Sequence, residues 1–339
     1  MWSPDLFMKE IYDGTIRTVE TVDENSNRQL RKQFHRVLGE FPITQKDFDV
    51  EEIERVEFDD FTRIRIELTT FSSLRMPAYV LKPKDQSQSK RPAVLALHGH
   101  GYGSKEIVGL NPDGTDNLHE KPGIHKNFAV ELVRRGHIVL APEVIGFGER
   151  LLTRDENSEA PPNHNSCFGL ASQLLLVGKT LAGLRVAECQ RMIDYLTELP
   201  DVDSEKIGIM GLSGGGLVAA FTSAVDERIK ATVICGYTNT FKGSIIDRSH
   251  CLDNYIPGVL QLGEMPRLIG LIAPRPLFIE SGKDDHLFPI EEVKVAVEQL
   301  RNTYQAFEAN DVLDTHYFSG GHEVSGEKSY DWLRDQLRA

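Results

Sequence analysis

The spacing of apolar residues changes twice along the chain, and each change marks a different kind of structure. From Pro4 to about Gly39 the period is helical: Leu30, Phe34, Val37 and Leu38 fall on one face, and Arg28, Arg31, Lys32 and Arg36 on the other. From Glu54 the period is two. Val56-Glu57-Phe58 and Ile64-Arg65-Ile66-Glu67-Leu68 alternate apolar with charged, and 75–81 adds a third run, as in antiparallel strands with one solvated face. After a polar turn at 85–90 the runs become continuously apolar, each followed by a helical stretch. Strands are predicted at 93–97, 138–141, 207–211, 231–235, 276–281 and 312–318. Helices are predicted at about 123–135, 180–199, 215–225 and 290–303, with a last one running to Ala339. Strands apolar on both faces must be covered on both faces, so this alternation implies an α/β fold with a mostly parallel central sheet. Residues 1–45 form an N-terminal helical arm packed on that core, with an oligomer contact as its sharper alternative role. Residues 46–339 form the α/β domain, and insertions near 143–172 and 237–272 are expected to supply a lid and pocket walls.

Composition narrows the function classes. Apolar residues make up 40% of the 339 and charged residues 26%, the balance of a water-soluble globular domain. No run of about 18 apolar residues occurs, so no membrane partner is expected. The first residues lack a basic start followed by an apolar core, and the expected location is cytoplasmic. A net charge of −13 argues against nucleic acid, which demands clustered Lys and Arg. Cys167, Cys189, Cys235 and Cys251 form no C-x-x-C pair and read as buried or pocket-lining thiols. His98-Gly99-His100 lacks the helical i, i+4 spacing and acidic third ligand of a zinc site, so neither a metal nor a cofactor is expected.

The chemistry concentrates where predicted strands end. Gly211-Leu212-Ser213-Gly214-Gly215 fits G-x-S-x-G, the turn that presents a serine between a strand and a helix. Asp284 and Asp285 follow the 276–281 strand, and His322 follows the 312–318 strand. Ser213 is the candidate nucleophile. His322 is the candidate general base, with mid-strand His316 and His286 as weaker rivals, and one of the two aspartates would orient the imidazole. An oxyanion would be held by the N–H of Gly214 and by that of His100 in the loop after the 93–97 strand, with Gly101 as the alternative. Phe147, Tyr237, Cys251 and Tyr255 are candidate lining residues of the substrate pocket.

The order Ser, Asp, His at successive strand ends resembles that of the α/β-hydrolase superfamily. Leu97–Gly101, Ala141–Arg150, Gly178–Arg185, Gly211–Gly215, His250–Gly258, Ala273–Pro276 and Gly320–His322 narrow the resemblance to the dienelactone-hydrolase-related, acetyl xylan esterase-like esterases (abhydrolase family 7). The resemblance covers about residues 75–335. It frames the acid as G-x-x-D-x-x-x-P, Gly282 to Pro289, and so selects Asp285 over Asp284. It implies an α/β-hydrolase fold and a serine carboxylesterase acting on small-molecule short acyl esters, acetyl above all. Dienelactone hydrolases proper carry cysteine where this chain has Ser213, which argues against lactone opening. The R-G-Q and G-G-S-Q-G strings of xylan and cephalosporin deacetylases are not found, so the resemblance stops short of a xylan deacetylase. The alternatives are a peptidase of the prolyl-oligopeptidase type, although no propeller precedes the domain, and a non-catalytic binding protein on the same fold.

Overall fold

A computed structural model describes residues 2–16, 22–42, 47–85, 90–157 and 159–338. Most of the predicted turn at 85–90 and Ala339, the predicted end of the last helix, lie outside these. Nine strands form one sheet: β1 (Glu51–Glu57), β2 (Phe61–Phe71), β3 (Leu74–Pro83), β4 (Arg91–Leu97), β5 (Ile138–Pro142), β6 (Val202–Leu212), β7 (Ile229–Cys235), β8 (Leu277–Gly282) and β9 (Leu313–Phe318). Their spatial order is β1-β2-β3-β5-β4-β6-β7-β8-β9. β1, β2, β3 and β5 pair antiparallel in turn, and β5, β4 and β6 through β9 are parallel. The change of period at the 85–90 turn is thus also the change from the antiparallel edge to the parallel body.

The order reverses at β4, which has β5 on one side and β6 on the other. Ligand crevices open beyond the carboxyl ends of parallel strands at such a reversal. Leu97 at the end of β4 pairs with Gly211 near the end of β6, so the loops leaving these strands emerge side by side.

The helices are α1 (Asp5–Thr15), α2 (Glu24–Leu38), α3 (Phe128–Arg134), α4 (Cys167–Leu176), α5 (Leu181–Glu198), α6 (Gly214–Val225), α7 (Met265–Ile269), α8 (Ile290–Ala306) and α9 (Ser329–Arg338). α2 begins in a capping box between Asp23 and Ser26 and buries Leu30, Phe34 and Leu38, with Phe34 edge-on to Phe221 of α6 at 4.9 Å. Arg31 does not stay on the solvent face. Its guanidinium donates to the carbonyls of Ala224 (2.8 Å) and Leu271 (3.0 Å), where the end of α6 leaves acceptors unfilled. α1 buries no residue and is held through Tyr12 Oη donating to Glu264 at 2.5 Å. Among the described residues, no single helix is long and apolar enough to cross a membrane.

Both predicted insertions lie at the carboxyl ends of the strands. The first closes with α4, a helix hidden from periodicity because its apolar content is spread around it. The second is built of short turns and α7.

Candidate active site

Ser213 stands between the last residue of β6 and the first of α6 with φ +57° and ψ −120°, a conformation that costs a non-glycine residue on the order of 1–3 kcal/mol. Its neighbours enforce the corner. A Cβ on Gly211 would lie 2.2 Å from the carbonyl oxygen of Gly215, and one on Gly215 would lie 2.1 Å from that of Leu97. Only glycine lets β4, β6 and α6 approach this closely. The Ser213 N–H donates to Cys235 O (2.9 Å), and its carbonyl accepts from Leu217 N (2.9 Å), so the strained residue is bonded to the sheet and to the helix at once.

Asp285 and His322 meet across the ends of β8 and β9. Lys283 N donates to Phe318 O and Asp284 N to Gly320 O, both at 2.9 Å, which zips the two loops together. Asp284 is left exposed and Asp285 buried. Asp285 Oδ1 accepts the N–H groups of Leu287 (2.9 Å) and Phe288 (3.1 Å), and Oδ2 accepts His322 Nδ1–H at 2.7 Å. That bond leaves Nε2 as the free acceptor of a neutral imidazole. The Phe288 ring stacks on His322 with centroids 5.7 Å apart and fixes its plane. Of the rival histidines, His316 lies in β9 against Glu280 and Glu327, and His286 is exposed.

Ser213 and His322 open into one cavity of about 230 Å³, with His100, Gly214, Tyr237, Cys251 and Phe288 also on its wall. The buried phenolic oxygen of Tyr237 has no protein partner among the described residues. Two expected lining residues lie elsewhere. Phe147 is buried behind His100, ring edge to ring face at 4.8 Å, because Arg185 stacks over it at 4.7 Å. Tyr255 faces an outer apolar groove with Ile11 and Ile246, its hydroxyl donating to Ile245 O at 3.3 Å.

The loop after β4 is held by two buried histidines. His98 accepts Val144 N–H on Nε2 (3.0 Å) and donates from Nδ1 to Gly99 O (2.9 Å), so both nitrogens are occupied and the ring serves the loop backbone. Burial pulls its pKa down to about 3. His125 Nε2 accepts Gly99 N–H (2.9 Å), while its Nδ1 lies 3.0 Å from Glu106 Oε1. The N–H groups of His100 and Gly214 have no protein acceptor among the described residues, which leaves both donors to a ligand oxygen.

Several buried charges behind the site carried no obvious signal. Glu280 of β8 accepts from Ser325 N (2.8 Å), Gly326 N and Ser329 Oγ (2.9 Å), tying down the segment after His322. Its clue is a carboxylate inside an otherwise apolar strand. Arg185 of α5 donates to Ile145 O in the first insertion and pairs with Asp253 in the second, all of it buried. Arg150 binds Glu188 through two contacts of 2.8 and 2.6 Å.

The sequence profile of the dienelactone hydrolase family matches residues 76–322, the stretch from β3 to His322. YtaP of Bacillus subtilis, provisionally named a hydrolase, is 30% identical over 302 residues, spanning 87% of this chain and 93% of its own. A provisionally assigned acetyl xylan esterase from Bacteroides fragilis superposes with a TM-score of 0.77 at 15% identity, over 98% of this chain and 89% of that one. A glucuronoyl esterase from Solibacter usitatus gives 0.67 at 14%, over 96% and 99%. These likenesses match the resemblance read from the sequence and show the same mixed α/β architecture.

Proposed function

We propose that this chain, which belongs to the dienelactone hydrolase family, is a serine esterase cleaving short acyl esters, acetyl esters first among them. The observation that carries the reading is the Asp285–His322 hydrogen bond at 2.7 Å, in a loop pair that shares one cavity with the strained Ser213. In the proposed reaction His322 Nε2 takes the Ser213 proton as Oγ attacks the ester carbonyl. The developing oxyanion is received by the N–H groups of His100 and Gly214. The imidazolium, steadied by Asp285, returns its proton to the leaving alcohol. Water then repeats the sequence on the acyl-serine, releasing the acid and the free serine.

The acyl preference is supported by the small cavity and by the likeness to the provisionally assigned acetyl xylan esterase of Bacteroides fragilis. A 45-residue stretch that is 44% identical to the acetyl esterase Axe7A of Xylanibacter ruminicola points the same way. A series of p-nitrophenyl esters from acetyl to octanoyl tests the reading, with each assay repeated after a serine-directed phosphonate. Hydrolysis greatest at acetyl, abolished as the label appears on Ser213, is the expected result. A maximum beyond hexanoyl ends the short-acyl assignment, and hydrolysis of every ester surviving phosphonylation of Ser213 ends the serine mechanism.

A further inference from the structure

At the cavity wall, which His100 and Cys251 help to line, four donor atoms converge that the proposed ester chemistry does not use. His100 comes from the loop after β4, Cys167 from the start of α4, and Cys251 and Asp253 from the second insertion. Each offers one ligand atom, and all four atoms lie within 4.8 Å of one another. We propose that these four residues bind a single soft divalent cation of the zinc class, which clamps the His100 loop to both insertions. The inference concerns binding alone and stands whether or not the protein is an esterase.

The donor set is the first argument. Two thiols, an imidazole and a carboxylate favour a zinc-like ion over magnesium or calcium, which take all-oxygen shells. Geometry is the second. Bonds of about 2.3 Å to sulfur and about 2.0–2.2 Å to nitrogen and oxygen place tetrahedral ligand atoms roughly 3.3–3.8 Å apart. The four atoms therefore need to draw in by about 1 Å to close around an ion.

The surroundings match what holds ligands from outside such a shell. Arg185 Nη2 donates to Cys167 Sγ at 3.2 Å and the same guanidinium pairs with Asp253, whose Oδ1 accepts Asn254 Nδ2 at 2.7 Å. Charge also balances. A divalent cation displacing both thiol protons brings the two positive charges it removes, and Arg185 continues to neutralise Asp253. The sequence hid this cluster. His98-Gly99-His100 reads as no metal site because it lacks the helical spacing and an acidic third ligand; His98 serves the backbone, and the companions of His100 in this cluster come from two distant insertions.

The test titrates the reduced, chelator-stripped full chain with Co²⁺ and then Zn²⁺, following the ultraviolet and visible spectrum and counting bound metal by elemental analysis. One equivalent per chain is expected, with a thiolate-to-cobalt charge-transfer band, the visible bands of tetrahedral Co²⁺, and displacement of both by Zn²⁺. Cys251→Ser and Cys167→Ser should each weaken Co²⁺ binding by on the order of 100-fold or more. The spectrum of the unaltered chain decides the matter even where a variant does not fold. Absence of the charge-transfer band at stoichiometric Co²⁺ overturns the proposal, and so does a band that persists unchanged in Cys251→Ser.

Discussion

The two walls of the cavity are built on different principles. On the Asp285–His322 side, position comes from backbone: the β8 and β9 loops are zipped by main-chain hydrogen bonds, Asp285 is held by two amides, and Ser213 by glycine-tight packing. On the His100 side, position comes from buried polar and charged side chains. Arg185–Asp253, Arg150–Glu188, His98 and Glu143 hold loops that run outside the sheet. The contrast teaches that the proposed reactive groups are held by main-chain hydrogen bonds and close backbone packing. The loops that shape the pocket have no ladder to pair with, and take their rigidity from ion pairs that are costly to bury and costlier to break.

Four single substitutions and one double variant separate the walls, in order of expected effect. Asp285→Asn should lower kcat toward acetyl esters by up to about 10⁴, through loss of the imidazole tautomer that leaves Nε2 free, with little change in melting temperature. Arg185→Met should act on the other wall and through stability. It leaves Asp253 charged and unpaired in the interior, so urea unfolding should show a loss of about 3–5 kcal/mol. Asp253→Asn added to Arg185→Met should recover part of it.

Glu143 gives a pH signature. Burial drives its carboxyl up to about 7, although Ser104 donates to it from both N (3.0 Å) and Oγ (2.5 Å). A carboxyl whose folded pKa is raised contributes stability that is full below its unfolded value near 4.5 and is lost as pH rises through 7. The stability of the protein relative to Glu143→Gln should therefore fall between about pH 5 and about pH 8, by on the order of 2–3 kcal/mol in urea unfolding. His98 works in the opposite sense: its depressed folded pKa gives stability present above 6.5 and lost as pH falls toward 3. The smallest effect should be that of Asp284→Asn, which alters only an exposed side chain. A kcat within about twofold of the parent is expected, and a drop comparable to that of Asp285→Asn would reassign the acid.

Much of this was legible in the residues before any coordinates. The two changes of period located the antiparallel edge and the parallel body. G-x-S-x-G marked the elbow because its glycines answer to the close approach of β4, β6 and α6 at that turn. α4 was not legible, since periodicity reports a helix with one buried face and this one is apolar nearly all round. Phe147 and Tyr255 were misplaced for a related reason. An aromatic residue in an insertion can face the pocket, the core or an outer groove, and only the path of the chain decides which. Glu280, Arg185 and Asp253 looked like ordinary charged residues because Glu280 finds Ser329 49 positions away, and Arg185 and Asp253 find each other 68 positions apart.

By itself, then, the sequence determined what local physics determines: periods, turns, the serine corner and the strand ends at which the candidate acid and base stand. The tertiary structure decided how Asp285, the aspartate the family resemblance selects, comes to be buried against His322 while Asp284 stays exposed. It also decided which N–H groups are left without an acceptor, and how four donors from three loops come to share one point. Those outcomes depend on contacts between distant segments, and the energy of such contacts does not exist until the sheet has brought them together.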